Sequence, residues 1–107
     1  MEVTKQDWKL FRQKLPGWQE AFMDKLNHEY MELLNGEGDP SDKFWALHKR
    51  LREDAKKTGV RAEMRRSEMP YLICNLLNEG AITMDDLTVF SEDLQEHIKG
   101  MRGWLYD

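Results

Sequence analysis

The sequence predicts an all-α fold in a single domain, and three features carry that expectation. Apolar residues recur at intervals of three and four along most of the chain, and no segment alternates apolar with polar long enough to make a strand. Gly36, Gly59, Gly80 and Gly100 each follow such a run, at positions where glycine can turn left-handed without a Cβ penalty. Two matching cassettes, Val3-Thr4-Lys5-Gln6-Asp7-Trp8 and Ile82-Thr83-Met84-Asp85-Asp86-Leu87, read as helix starts. In each, threonine caps the first turn, the aspartate three residues on reaches back, and the apolar residue before the cap staples onto the one four positions into the helix. The expected architecture is a small bundle of four to five antiparallel helices over residues 1–107.

The elements follow in order. A first helix over residues 4–15 places Trp8, Phe11 and Leu15 on one face. Pro16-Gly17 interrupts it, and a second helix carries Trp18, Phe22, Leu26, Tyr30, Leu33 and Leu34 to Gly36. A loop over 36–41 leads to a third helix, with Asp39 as cap, Pro40 as first helical residue, and Phe44, Leu47, Leu51 and Ala55 facing inward as far as Gly59. The segment 60–79 contains Pro70. The preferred reading is one helix kinked there; the alternative is a new helix capped by Ser67 with Pro70 in its first turn. A fifth helix over 83–99 presents Leu87, Phe90, Leu94 and Ile98. Residues 100–107 form a tail in which Gly100 and Gly103 loosen the chain. Its Trp104, Leu105 and Tyr106 are expected to dock on the bundle, on a second subunit, or on a partner. The expected core includes Phe11, Phe22, Leu26, Tyr30, Leu47, Leu51, Leu72, Ile73, Leu76, Leu87, Phe90 and Leu94.

With 107 residues the chain can bury one core without disulfides or metals. The single cysteine, Cys74, lies in an apolar run and reads as a small core residue rather than a reactive thiol. No stretch approaches the ~18 to 20 apolar residues that span a bilayer, and residues 1–15 are charged throughout. A cytoplasmic protein without a membrane association is expected.

Catalytic and metal patterns fail on spacing. Asp24/His28 and Asp93/His97 stand four apart, but the residues three before the histidines (Lys25, Trp45 and Leu94) are not the glutamates of a carboxylate-bridged bundle site. Read as a calcium loop from Asp39, the chain puts Phe44 and Arg50 where glycine and a bidentate glutamate belong. Gly36-Glu37-Gly38 lacks the strand before it and the Lys-Ser/Thr after it that a phosphate loop needs. The expectation is a protein that is not an enzyme and has no cofactor.

Charge placement is the strongest remaining signal. Residues 43–66 carry +6 while the rest of the chain carries −10, giving the net −4. Arg50, Lys57, Arg61, Arg65 and Arg66 are the candidate basic surface for nucleic acid, although the bases are spread around their helix. A solvated face, or basic and acidic surfaces meeting within the fold or across a homodimer, is the preferred account. Trp45, one step off the Phe44-Leu47-Leu51 stripe, and the tail residues Trp104, Leu105 and Tyr106 are the candidate partner or dimer contacts.

Leu15-Pro16-Gly17-Trp18-Gln19-Glu20, Pro40-Ser41-Asp42-Lys43-Phe44-Trp45, Met64-Arg65-Arg66-Ser67, Gly80-Ala81-Ile82-Thr83, Asp86-Leu87 and Phe90-Ser91 together resemble a family of short, uncharacterised helical proteins of Gram-positive bacteria. That resemblance covers residues 15–98 and implies a small helical bacterial protein. It brings no catalytic residues, and a transporter role sometimes attached to the family is at odds with the absence of a span here. The leading functional expectation is a non-enzymatic interaction or regulatory protein that binds a protein partner or itself as a homodimer. Nucleic-acid binding through residues 43–66 is the alternative.

Overall fold

The computed structural model describes the backbone of residues 1–106 and the side chains of residues 1–104. Among them every regular element is helical: α1 (Lys5–Asn35), α2 (Pro40–Asp54), α3 (Met69–Glu79) and α4 (Glu92–Tyr106), with 3₁₀ turns at Arg66–Glu68 and Met84–Leu87. The molecule is elongated, 51 × 29 × 22 Å. Its long dimension matches α1, whose 31 residues span roughly 46 Å.

Thr4 caps α1 by accepting a 3.1 Å bond from the Asp7 amide. The helix then continues through Pro16-Gly17 instead of ending there. Pro16 removes only the bond to the Arg12 carbonyl, on an exposed side of the helix that water can reach. Meanwhile Phe11, Leu15, Phe22 and Leu26 form one buried stripe that is continuous only if the helix is. The two expected helices are therefore one.

α2 opens with Pro40 in its first turn, though Asp39 makes no side-chain cap bond, and it ends at Asp54, five residues before Gly59. Residues 60–65 form no helix, so the single kinked helix expected over 60–79 is absent. Instead α3 starts at Met69 and Pro70 occupies its first turn, where a missing N–H costs nothing. The fifth expected helix is divided as well. Thr83 and Asp86 close a reciprocal cap, the Thr83 amide donating to Asp86 Oδ2 at 2.8 Å, but the turn ends at Leu87 and α4 begins only at Glu92.

The four glycines serve four different purposes. Gly80 alone is left-handed (φ 80°), ending α3 with its own amide on Leu77 O and the Ala81 amide on Leu76 O. Gly36 follows α1 in an extended conformation. Gly59 sits in a turn where any Cβ would meet the Phe22 ring at 2.4 Å. α4 runs straight through Gly100 to Tyr106, so the expected loosening of the tail at Gly100 is not seen.

The main core gathers at one end, which we call the body. Phe11 and Leu15 of α1 meet Leu72, Ile73 and Leu76 of α3, and Leu87, Phe90, Leu94 and Ile98 from the last third of the chain. α3 and α4 pack directly on each other. Buried Asp7 fastens this end: its carboxylate accepts the Ser91 amide at 3.0 Å and the Ser91 hydroxyl at 2.6 Å, while Ser91 Oγ accepts the Leu94 amide at the start of α4. Asp7 thus ties α1 to α4 rather than reaching back to Thr4. Trp18 adds an edge contact to Phe11 and a tilted contact to Phe90.

Candidate interaction surface

Beyond Trp18, α1 leaves the body and packs against α2, and the two helices form an arm. Its root is clamped by polar bonds. Glu79, at the end of α3, accepts the Thr58 and Gly59 amides at 2.9 Å each, and Gln19 Nε2 donates to the Thr58 carbonyl at 3.1 Å. The Phe22 ring is closed in by the Gly59 backbone and by Lys57, whose Nζ lies 6.0 Å from the ring centre.

Further along, α1 and α2 are joined by ions rather than by a dry seam. The Tyr30 hydroxyl donates to Asp54 Oδ2 at 2.6 Å, Lys57 Nζ lies 3.0 Å from Asp54 Oδ1, and Arg50 reaches both Asp54 (3.5 Å) and Glu29 (3.2 Å). The Arg50 guanidinium also lies over the Tyr30 ring at 5.5 Å. Burial alone would raise the Asp54 carboxyl, but the Tyr30 hydroxyl, Lys57 and Arg50 outweigh it and hold Asp54 below the usual carboxylate range. The same burial, with the bond to Asp54, pushes Tyr30 up to about 12. Arg50 is stabilised in its charged form: burial opposes it, and the bond to Glu29 with the charge of Asp54 prevails. Beside this network a cleft of about 170 Å³ opens between the helices, lined by Met23, Leu26, Leu51, Ala55 and Val60 as well as Tyr30 and Asp54.

The outer arm displays its apolar residues. Phe44 is 61% and Trp45 62% exposed, and Met31, Leu34 and Leu51 are also exposed. Trp45 stands edge-on to Phe44 (5.0 Å, 85°) and to His48 (5.5 Å, 82°), forming an aromatic cluster on the surface of α2. The inward face expected from Phe44, Leu47, Leu51 and Ala55 is therefore corrected. Phe44 and Leu51 are exposed while Leu47 and Ala55 are half-buried, because no third helix covers α2. Tyr30, also expected in the core, is half-buried and occupied by Asp54.

The five candidate basic residues are distributed over the molecule rather than brought together. Arg50 and Lys57 are engaged with Asp54 in the arm. Arg66 donates through Nε to the Val3 carbonyl at 2.9 Å in the body, and Arg65 pairs with Glu63 at 3.1 Å. Arg66 is anchored at Val3, just before α1 begins, and Arg50 at Glu29 near its far end, so most of the length of α1 separates the two anchor points. Arg61 is exposed beside a shallow groove with Arg12, Pro16 and Gln19.

Trp104 is 86% exposed at the rim of a hollow formed with Tyr71, Glu96, His97 and Met101. The side chains of Leu105 and Tyr106 lie outside the described residues. Cys74 is buried in the core, and that burial raises its thiol pKa. Among the described residues no group of three or more His, Cys, Asp or Glu side chains is placed to hold a metal, and no helix is long and apolar enough to cross a membrane.

Sequence reasoning found Trp45 by its offset from the apolar stripe. It missed Phe44, Leu51, Met31 and Leu34 as surface residues, since helical spacing marks a face without saying whether a neighbour covers it. No family model, no curated protein and no solved structure matches this chain.

Proposed function

We propose that this protein is a non-enzymatic interaction or regulatory protein that acts by binding a protein, and that the outer arm is its binding surface. In this reading the helices form an antiparallel bundle at the body, and α1 and α2 extend from it as an antiparallel hairpin. One observation carries the proposal: Phe44 and Trp45, the two largest apolar side chains of α2, stand edge to face at more than half exposure, with Met31, Leu34 and Leu51 of the same arm also exposed. Clustered aromatics of this kind supply much of the energy of protein interfaces. An uncovered apolar cluster forfeits stabilisation of about 25 cal/mol per Å² that docking returns.

Nucleic-acid binding through residues 43–66 has less support. Arg50, Lys57, Arg65 and Arg66 are already held by carboxylates or a backbone carbonyl.

A photoreactive amino acid placed at position 45 in the source cell tests the proposal, with position 89 as control, since Val89 is an exposed apolar residue of the body. The expected result is a discrete protein crosslink from 45 and none from 89. Equal labelling from both positions, or crosslinks to nucleic acid alone, would contradict it.

A further inference from the structure

The arm carries two exposed stripes with complementary content. On α1, Glu20, Asp24, Asn27, Met31 and Leu34 follow one another at intervals of four, three, four and three, and all are exposed. That is the spacing of a helix seam. On α2 and the turn after it, Trp45, Lys49, Arg52 and Lys56 follow at four, three and four, and all are exposed. Each stripe is apolar near the 36–39 connection and charged toward the body, acidic on α1 and basic on α2. Over residues 17–39 the chain carries −5, and over 40–57 it carries +3. Among the described residues Lys49, Arg52 and Lys56 have no ion-pair partner, and neither does Glu20.

The stripes also agree in depth. Counted from Gly38 at the tip, Met31 matches Trp45, Asn27 matches Lys49, Asp24 matches Arg52 and Glu20 matches Lys56, residue for residue. Within one chain α1 and α2 are already joined through Tyr30, Arg50 and Asp54, by side chains that belong to neither stripe. The exposed stripes are left to face outward.

We infer that the occupant of the arm is a second copy of this chain, lying alongside with tip beside tip, so that α1 of each copy runs along α2 of the other. The inference rests on the arm being an interaction surface, as proposed above. The two-fold relation makes every contact occur twice: Met31 and Leu34 meet Phe44 and Trp45 of the second copy, and Glu20 and Asp24 meet its Arg52 and Lys56. The assembly is a four-helix bundle of the two arms, with the bodies at the same end. Attraction between the acidic and basic stripes fixes the register, and the aromatic tip supplies the apolar burial.

Light scattering across a concentration series is the test, using the whole chain and two double variants. The wild type is expected at twice the 12.8 kDa chain mass. Glu20→Lys/Asp24→Lys places like charges against Arg52 and Lys56 and is expected to lose the dimer; Arg52→Glu/Lys56→Glu is expected to do the same. An equimolar mixture of the two variants restores one wild-type and one inverted seam, so dimer mass returns. Circular dichroism of each variant alone checks that the helices persist. A wild type that stays monomeric, or a dimer indifferent to both swaps, overturns the inference. A monomer that still gives an arm-specific crosslink from position 45 to a different protein overturns self-association and leaves the arm reading standing. A monomer with no such crosslink removes both.

Discussion

Around the first half of α1, Phe11, Ile73, Leu76 and Ile98 are entirely hidden from solvent, whereas around its second half Met31, Leu34, Phe44, Trp45 and Leu51 stand 44–62% exposed. The same helix serves both regions. In the body it is the third face of a core shared with α3 and α4, and dispersion and apolar burial hold it. In the arm its main helical neighbour is α2, and Met31, Leu34, Phe44, Trp45 and Leu51 are left exposed. What orders α2 is instead directional: the Tyr30–Asp54–Arg50–Lys57 network and the Glu79 clamp at its root. A two-helix arm built this way keeps its geometry while its apolar residues stay uncovered.

The sharpest contrast is expected from truncation. Phe11→Ala, in the body, should cost about 3–5 kcal/mol of unfolding free energy, whereas Phe44→Ala in a monomeric background should change it by no more than about 0.5 kcal/mol. Comparable losses at the two sites in urea titrations would erase the distinction. Gly59→Ala comes next. Its methyl must displace the Phe22 ring, which lies 2.4 Å from the Cβ position, and overpacking of this kind costs about 1–3 kcal/mol. The urea midpoint is expected to drop accordingly. Asp7→Ala leaves the Ser91 amide and hydroxyl without their acceptor, an expected loss of about 1–3 kcal/mol. Asp7→Asn should recover part of it in the same titration.

Much of the body was legible in the residues. The spacing of Leu87, Phe90, Leu94 and Ile98 identified a buried face correctly, and the second cassette closes as its residue types require. The first cassette caps its helix but lends Asp7 to Ser91, 84 residues away, and a contact of that range leaves no local trace. Local propensity marks Pro16-Gly17 and Gly100 as stops. A continuous buried stripe on α1 overrode it in the first case. The arm was harder to read. Phe44, Leu47 and Leu51 have the spacing of an inner face, and spacing is the same whether a third helix covers that face or the solvent does.

The smallest expected effect lies in the polar network, and it depends on pH. Asp54 is held below the ordinary carboxylate value, so its contribution is fully present above about pH 4 and fades as pH falls through its lowered value. Tyr30 behaves oppositely. Its pKa is raised to about 12, so its contribution is present below about pH 10 and is lost as pH rises beyond that. The difference in urea midpoint between wild type and Asp54→Asn should shrink in acid, and that between wild type and Tyr30→Phe should shrink in strong alkali. Differences that stay constant across both ranges would mean the network does not hold the arm.

Hydrogen exchange measured at several protein concentrations addresses the division between body and arm most directly. Amides of α3, closed in by the core, should exchange through unfolding at a rate that dilution leaves unchanged relative to the rest of the body. Amides of α2 between Phe44 and Arg52 should exchange faster in dilute solution and gain protection as concentration rises, if the proposed second copy covers them. Protection in α2 that equals that of α3 and does not depend on concentration would contradict the account: the arm would then be part of the body's own fold, with nothing left to bind.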